Sequence, residues 1–226
     1  MCNAQIDVAQ LFSRPGSINI NILLAIFLIG GPVLTLLLLW VVYNSPWRTL
    51  QGKPIPQPVP FSHEHHVAGL GIDCRYCHTS VETSSFAGIP PVHTCMSCHS
   101  QVWRNATVLA PVRESYISGI PLHWTRVTDL PQFVFFNHSA HVNHGVGCST
   151  CHGRIDRMQM TSKAVYMQMR WCTNCHGDPA RFLRPPDQVM NMAWIPPPNQ
   201  HAAGQKLIGD YHIDTTHLMD CVTCHR

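Results

Sequence analysis

The sequence predicts a mostly irregular chain with short α-helices, attached to a single N-terminal transmembrane helix. Three observations predict this fold class. Ten of the eleven cysteines fall in five short motifs, the stretch between Arg14 and Arg48 has no charged residue, and 18 prolines and 14 glycines interrupt the chain. Because no long amphipathic period separates the motifs, we expect helices of only a few turns and little β-structure.

The N-terminal run is the first element. From Ile22 to Val42 the residues are apolar apart from Thr35, the Gly30-Gly31-Pro32 break and Trp40. This length matches the roughly 20 residues that a membrane-spanning helix needs. A cleaved signal peptide is the alternative, but its apolar region is shorter, about 7–15 residues, and follows a basic start. We therefore expect an uncleaved anchor.

The other boundaries follow from this anchor. We predict an N-terminal segment at 1–17, an anchor helix at 18–43, a proline-rich linker at 44–60 and a main domain at 61–226. Four prolines lie between Lys53 and Pro60, a density typical of an extended, semi-rigid spacer.

The cysteine motifs all have the form Cys-x-x-Cys-His, which is the attachment signature of c-type haem. The paired thiols are Cys74 and Cys77, Cys95 and Cys98, Cys148 and Cys151, Cys172 and Cys175, and Cys221 and Cys224. Structural zinc needs four ligands per ion, so five pairs leave one unmatched. A disulfide framework does not explain why a histidine follows every pair. The sequence therefore predicts five covalently attached c-type haems.

Axial ligands for these haems come from the histidines. The histidine of each motif is the expected proximal ligand, namely His78, His99, His152, His176 and His225. Two repeated units, Phe61-Ser-His63-Glu-His-His66 and Phe136-Asn-His138-Ser-Ala-His141, precede the first and third motifs. Histidines three residues apart on a helix share one face, so His63, His66, His138 and His141 are the predicted distal ligands.

The distal ligand of the fifth haem is left open between a thioether and an imidazole. Met169 and His217 are the main candidates, with Met167, His201 and His212 as further choices. A methionine in this position is also explained by simple packing against a haem edge. The histidines left to structural or exposed roles are His65, His93, His123 and His144.

The repeated units divide the main domain. Residues 61–99 and 136–176 each form a predicted di-haem module, here called the first and second modules, and 201–226 carries the fifth haem. The formal net charge of +3 is outweighed by two propionates on each haem, so nothing supports nucleic-acid binding. Porphyrins are expected to supply much of the core.

Iron with two axial ligands has no open position for a substrate, so we predict electron transfer with no catalytic residue. Maturation of c-type haem takes place outside the cytoplasmic membrane. The N-terminus is therefore expected in the cytoplasm and the haem domain in the periplasm.

The N-terminal anchor, the five Cys-x-x-Cys-His motifs and the paired Phe-x-His-x-x-His units closely resemble the membrane-anchored pentahaem cytochrome c component of alternative complex III. The resemblance covers nearly the whole chain. It implies a membrane quinol:acceptor oxidoreductase of respiration or photosynthesis. The implied partners are integral membrane quinol-oxidising subunits, an iron–sulfur subunit, a monohaem cytochrome c subunit and a soluble acceptor such as a cytochrome c or copper protein.

A self-contained quinol dehydrogenase of the tetrahaem periplasmic family is the main alternative, because it also has an N-terminal anchor. In that family the haem motifs begin soon after the anchor. Here about thirty residues separate Tyr43 from Cys74, which argues against a haem held at the quinone headgroup. A multihaem reductase with its own substrate is a third class, disfavoured by the expected double ligation of the irons.

Overall fold

The computed structural model describes residues 13–225, so most of the predicted N-terminal segment 1–17, including Cys2, lies outside the described residues. The chain divides into two compact units, one ending at Thr49 and the other beginning at Leu50. The second unit therefore includes most of the predicted proline-rich linker as well as the predicted main domain.

The first unit is helical, with segments at Arg14–Ala25, Ile26–Gly30, Gly31–Asn44 and Pro46–Thr49. The helix begins before the predicted anchor because Ser13 accepts a hydrogen bond from the amide of Gly16 and Pro15 occupies the first turn. This run is long and apolar enough to cross a membrane. It confirms the predicted single candidate transmembrane helix within residues 13–225.

A π-helical turn at Ile26–Gly30 interrupts this helix. Pro32 has no amide hydrogen to donate to the carbonyl four residues earlier, and its ring crowds that carbonyl. The helix widens instead, so that the amide of Gly31 donates to the carbonyl of Ile26, five residues back. The Thr35 hydroxyl donates to the carbonyl of Gly31 at 2.9 Å. The glycine–proline break is thus absorbed without ending the helix.

The second unit consists of short helices joined by irregular segments. Its α-helices are Cys74–Cys77, Val92–His99, Ala110–Ser118, His138–Asn143, Cys148–His152, Met169–His176, Gln200–Asp210 and Cys221–Cys224. A π-helix covers Glu64–Gly69, and 3₁₀ turns cover Thr107–Leu109, Ile155–Arg157, Pro179–Arg181 and Pro186–Gln188. Residues 13–225 contain isolated β-bridges but no strand. The predicted fold class is confirmed.

The proline-rich segment packs along the second unit. Gln51 pairs with Lys163 and Pro54 with Ser162 in isolated bridges. The amide of Gly52 donates to the carbonyl of Lys163 at 2.8 Å. Farther along, the side-chain amide of Gln57 exchanges two hydrogen bonds with the backbone of Thr125. This segment contains no helix and is hydrogen-bonded to other parts of the second unit, and its role as a spacer stays a prediction.

Little apolar side-chain surface is buried. Among residues 13–225, eight hydrophobic residues are buried. Val59, Leu109 and Val112 form one cluster, against which Met96 and Trp124 pack. A second contact brings Gly204 so close to Ala180 that a Cβ on Gly204 would lie 1.8 Å from the Ala180 carbonyl oxygen. These contacts are few for a domain of this length.

Candidate haem-binding site

All five cysteine pairs lie on helical turns. None of the ten thiols forms a disulfide. The helices that contain the pairs are Cys74–Cys77, Val92–His99, Cys148–His152, Met169–His176 and Cys221–Cys224. Two thiols three residues apart on a helix point to the same side. Each turn therefore presents two free thiols together, which is the arrangement that double attachment to one porphyrin requires.

The repeated histidine units have nearly identical internal geometry. In the first module the Phe61 ring meets His63 edge-on at 4.9 Å and 88°, and stacks on His66 at 4.4 Å and 23°. In the second module Phe136 meets His138 at 4.8 Å and 89°, and the corresponding stack on the second histidine is at 4.4 Å and 28°. One phenylalanine thus sets the orientation of two imidazoles.

The second histidine of each unit faces the histidine of the later Cys-x-x-Cys-His motif in the same module. The ring centroids of His66 and His99 are 6.1 Å apart, and those of His141 and His176 are also 6.1 Å apart. With a metal–nitrogen bond of about 2.0 Å and roughly 1.1 Å from the nitrogen to the ring centre, two imidazoles on opposite sides of one metal have centroids about 6 Å apart. These two pairs therefore fit double ligation of one iron each.

The first histidine of each unit lies near the histidine of the earlier Cys-x-x-Cys-His motif in the same module. Burial lowers the pKa of His63 to about 4, and the neighbouring His78 adds to the decrease more than any other charge. Burial likewise lowers the pKa of His152 to about 4, and His138 contributes next. Both rings are therefore neutral at physiological pH, the form that binds a metal.

Hydrogen bonds at Nδ1 orient most of these imidazoles. A backbone carbonyl accepts from the Nδ1 atoms of His66, His78, His99, His138, His141, His176 and His225 when these rings carry the Nδ1 proton. Such a bond selects the tautomer whose Nε2 lone pair is available to a metal. In these seven imidazoles the Nε2 atom is thus the one left available for coordination.

Each module orients the first histidine of the other. His63 Nδ1 lies 3.2 Å from the hydroxyl of Thr161, which follows the third motif. His138 Nδ1 lies 2.8 Å from the carbonyl of Ser85, which follows the first motif. The two modules are therefore linked by hydrogen bonds to the first histidine of each repeated unit. The sequence gives no local signal for Thr161 or Ser85, because the partners are 98 and 53 residues apart.

Contacts between attachment turns connect the motifs in space. The hydroxyls of Tyr76 and Ser97, from the first and second motifs, are 3.0 Å apart. Burial raises the pKa of Cys151 to about 12, and the nearby Cys175 thiol of the fourth motif adds to the rise. His176 of the fourth motif donates to the carbonyl of Leu218, three residues before the fifth.

A buried arginine supports the third attachment turn. The Arg184 side chain donates to the hydroxyls of Ser149 and Thr150, which lie between the two cysteines of that motif. Its guanidinium also lies over the Trp194 ring, 4.5 Å from the centroid. A Cβ on Gly147 would be 2.1 Å from Arg184 Cζ. A side chain at this position would therefore displace the Arg184 guanidinium, and no sequence motif indicated this role.

The fifth site is built differently. The His225 ring packs against Phe133 at 5.9 Å, and the amide of Phe135 donates to the carbonyl of Cys224 at 2.8 Å. His217, a predicted distal candidate, is held by Asp220 at 2.8 Å, and Met169 has 67% of its surface exposed. Neither contact pattern ties these two residues to His225, and their ligand role stays a prediction.

His144 has a geometry that the sequence analysis did not assign to it. It lies one turn beyond His141, and its Nδ1 meets the carbonyl of Ala140, as in the other oriented imidazoles. The spacing of three residues from His141 was a usable signal. By contrast, His65 stacks on Trp103 at 5.6 Å and is exposed, and His201 Nε2 faces Asp178 at 3.2 Å.

Comparison with known proteins relates the chain to the c-type cytochromes. The family described as "Cytochrome c7 and related cytochrome c" matches residues 134–226. A curated relative, the "Menaquinone reductase, multiheme cytochrome c subunit" of Nitratidesulfovibrio vulgaris strain Hildenborough, is 31% identical over 170 residues. The match covers 75% of this chain and 67% of the relative.

Proposed function

The chain belongs to the multihaem c-type cytochromes, and from this premise we propose that it is the electron-transfer subunit of a membrane quinone-linked oxidoreductase with five covalent haems. The observation that carries the proposal is the pairing of imidazoles at 6.1 Å in both modules. Rings paired in this way leave a bound iron no position for a substrate. The haems supply one-electron carriers, and the protein holds them in fixed positions.

In this proposal four irons have two histidine ligands each. The pairs are His63 with His78, His66 with His99, His138 with His152, and His141 with His176. His225 is the proximal ligand of the fifth, with Met169 or His217 on the distal side. The Nδ1 hydrogen bonds of these rings and the low pKa of His63 and His152 support the assignment.

The attachment turns form a row in the order second, first, third, fourth and fifth. The Tyr76–Ser97 contact supports the first step of this order. The His138–Ser85 bond supports the next, and the proximity of Cys151 to Cys175 and the His176–Leu218 bond support the last two. The second and fifth sites are the two ends of this row.

We place the anchor in the cytoplasmic membrane with the haem domain in the periplasm. A periplasmic reporter fused after Arg226 is then active, and one fused before Arg14 is inactive. The opposite result overturns this orientation. Denaturing mass measurement of the purified chain tests the haem number, and fewer than five haem additions would reject it.

The narrower assignment is to alternative complex III, with electrons leaving quinol for a periplasmic acceptor. The relative named as a menaquinone reductase component favours a second assignment, in which electrons run from the haems to quinone. The two differ in direction. The complex purified through a tag on this chain is mixed with menaquinol or with a reduced periplasmic cytochrome, and absorption spectra show which donor reduces the haems.

Subunit identification in the same preparation tests the partners. We expect polytopic membrane subunits and an iron–sulfur subunit, with a monohaem cytochrome c under the first assignment. If the chain purified alone oxidises quinol, the self-contained quinol dehydrogenase is correct instead.

A further inference from the structure

The distal imidazole proposed for the first iron differs from the others in its Nδ1 partner. Seven of the oriented ligand histidines meet a backbone carbonyl, whereas His63 Nδ1 meets the Thr161 hydroxyl at 3.2 Å. We infer that Thr161 is a positioning residue that fixes the His63 ring and sets the potential of the first haem. This inference rests on the proposed ligand role of His63.

Backbone hydrogen bonds hold both partners in place. The carbonyl of Thr161 accepts from the amide of Ile55 at 3.2 Å, so the docked proline-rich segment fixes the threonine backbone. The amide of Glu64 donates to the carbonyl of Met158 at 3.1 Å. This bond ties the helix after His63 to the chain segment that contains Thr161. The hydroxyl is therefore presented to the ring by a fixed backbone.

The bond has a direct chemical consequence for the metal. If Nε2 held the iron, Nδ1 would carry the proton and would donate to the Thr161 oxygen. A hydrogen bond at this atom increases the electron donation of the imidazole and restricts its rotation about the bond to the metal. Stronger donation stabilises ferric iron and lowers the reduction potential. Loss of the hydroxyl also leaves a half-buried donor without its acceptor.

Thr161 orients its histidine with a side chain from the opposite module, and this makes the contact accessible to substitution. His138 is oriented by the carbonyl of Ser85, which substitution does not remove. The first haem can therefore be tuned by a substitution in the second module that touches neither its cysteines nor its ligands. At this site, the reduction potential can thus be changed without changing a residue proposed to bind the iron.

The test compares Thr161→Val, which removes the hydroxyl at constant shape, with Thr161→Ser, which keeps it. Ser162→Ala is the matched control, because the Ser162 hydroxyl faces Met158 rather than His63. Each haem-loaded protein is titrated potentiometrically, and its ferric low-spin haem signals are recorded by electron paramagnetic resonance. Denaturing mass measurement verifies that the haem number is unchanged.

We expect Thr161→Val to raise one midpoint potential and to alter one low-spin signal, with the other haems unmoved. Thr161→Ser keeps the hydroxyl and should retain the wild-type midpoint potential and low-spin signal. Ser162→Ala should also match the wild type. His63→Met is measured in parallel. If it shifts one potential while Thr161→Val shifts none, the positioning role is wrong and the ligand assignment stands. If His63→Met shifts none, both are wrong.

Discussion

The repeated units of the two modules reach the same arrangement of one phenylalanine and two histidines from different backbones. In the first module the helix after His63 is a π-helix, Glu64–Gly69, and in the second an α-helix, His138–Asn143. Even so, both phenylalanines meet their first histidine edge-on and stack on the second at 4.4 Å. The ring arrangement therefore depends on the local Phe-x-His-x-x-His sequence more than on the helix type.

The modules differ where they meet the rest of the protein. Asp73 caps the first attachment turn by accepting from the amide of Arg75 at 2.8 Å. At the corresponding position the second module has Gly147, which leaves room for Arg184 to hold the turn from outside. Local sequence thus determines how each phenylalanine orients its two histidines, and long-range contacts determine how each attachment turn is supported.

Replacing distal histidines should have the largest effect and tests whether the modules are equivalent. His63→Met and His138→Met should each raise a single midpoint potential by about 0.1–0.3 V, within the roughly 0.8 V that axial ligands span. The cysteines and motif histidines remain, so the number of attached haems should not change. Redox titration with spectra measures the change.

The matched control is His65→Met, since His65 stacks on Trp103 outside the proposed ligand set. If this variant shifts a potential while His138→Met leaves all of them unchanged, the wrong face of the helical turn has been assigned to the haems.

Alanine substitutions beside the third and the first attachment turns should lower the free energy of unfolding by different amounts. Gly147→Ala places a Cβ 2.1 Å from Arg184 Cζ, and we expect a loss of about 1–3 kcal/mol in the free energy of unfolding. Asp73→Ala removes an N-cap and should cost about 1 kcal/mol. Urea unfolding of the haem-loaded protein, followed by haem absorption, measures both.

Gly209→Ala serves as the control, because nothing lies within 4 Å of a Cβ at that helical position. Equal losses from Gly147→Ala and Gly209→Ala would show that the close approach of Arg184 to Gly147 has no energetic consequence.

The smallest expected effect is spectroscopic. The imidazole planes of His66 and His99 are 68° apart, and those of His141 and His176 are 34° apart. Low-spin ferric haem has a more anisotropic g-tensor when its imidazole planes approach the perpendicular. The second haem should therefore give a larger maximum g value than the fourth. His66→Met should remove the former signal and His141→Met the latter; identical signals would contradict the difference in angle.

The parts that the sequence predicted are those with local signals. Cys-x-x-Cys-His spacing placed each thiol pair on a helical turn, and the three-residue spacing of His138 and His141 predicted their shared face. Thr161 and Arg184 could not be predicted, because their partners are distant along the chain and neither belongs to a motif. The proline-rich segment was expected to be a spacer from composition alone, since its pairing with Ser162 and Lys163 leaves no trace in its own sequence.

The central claim is that each module ligates its own two irons. An experimental structure of the haem-loaded protein that resolves the iron ligands tests it most directly. We predict that one iron joins His63 to His78 and another joins His138 to His152, with the second histidine of each unit bound to the second iron of its own module. Because His63 also lies near His152, a crossed pairing is a genuine alternative. One iron bound by both His63 and His152 would contradict the modular account.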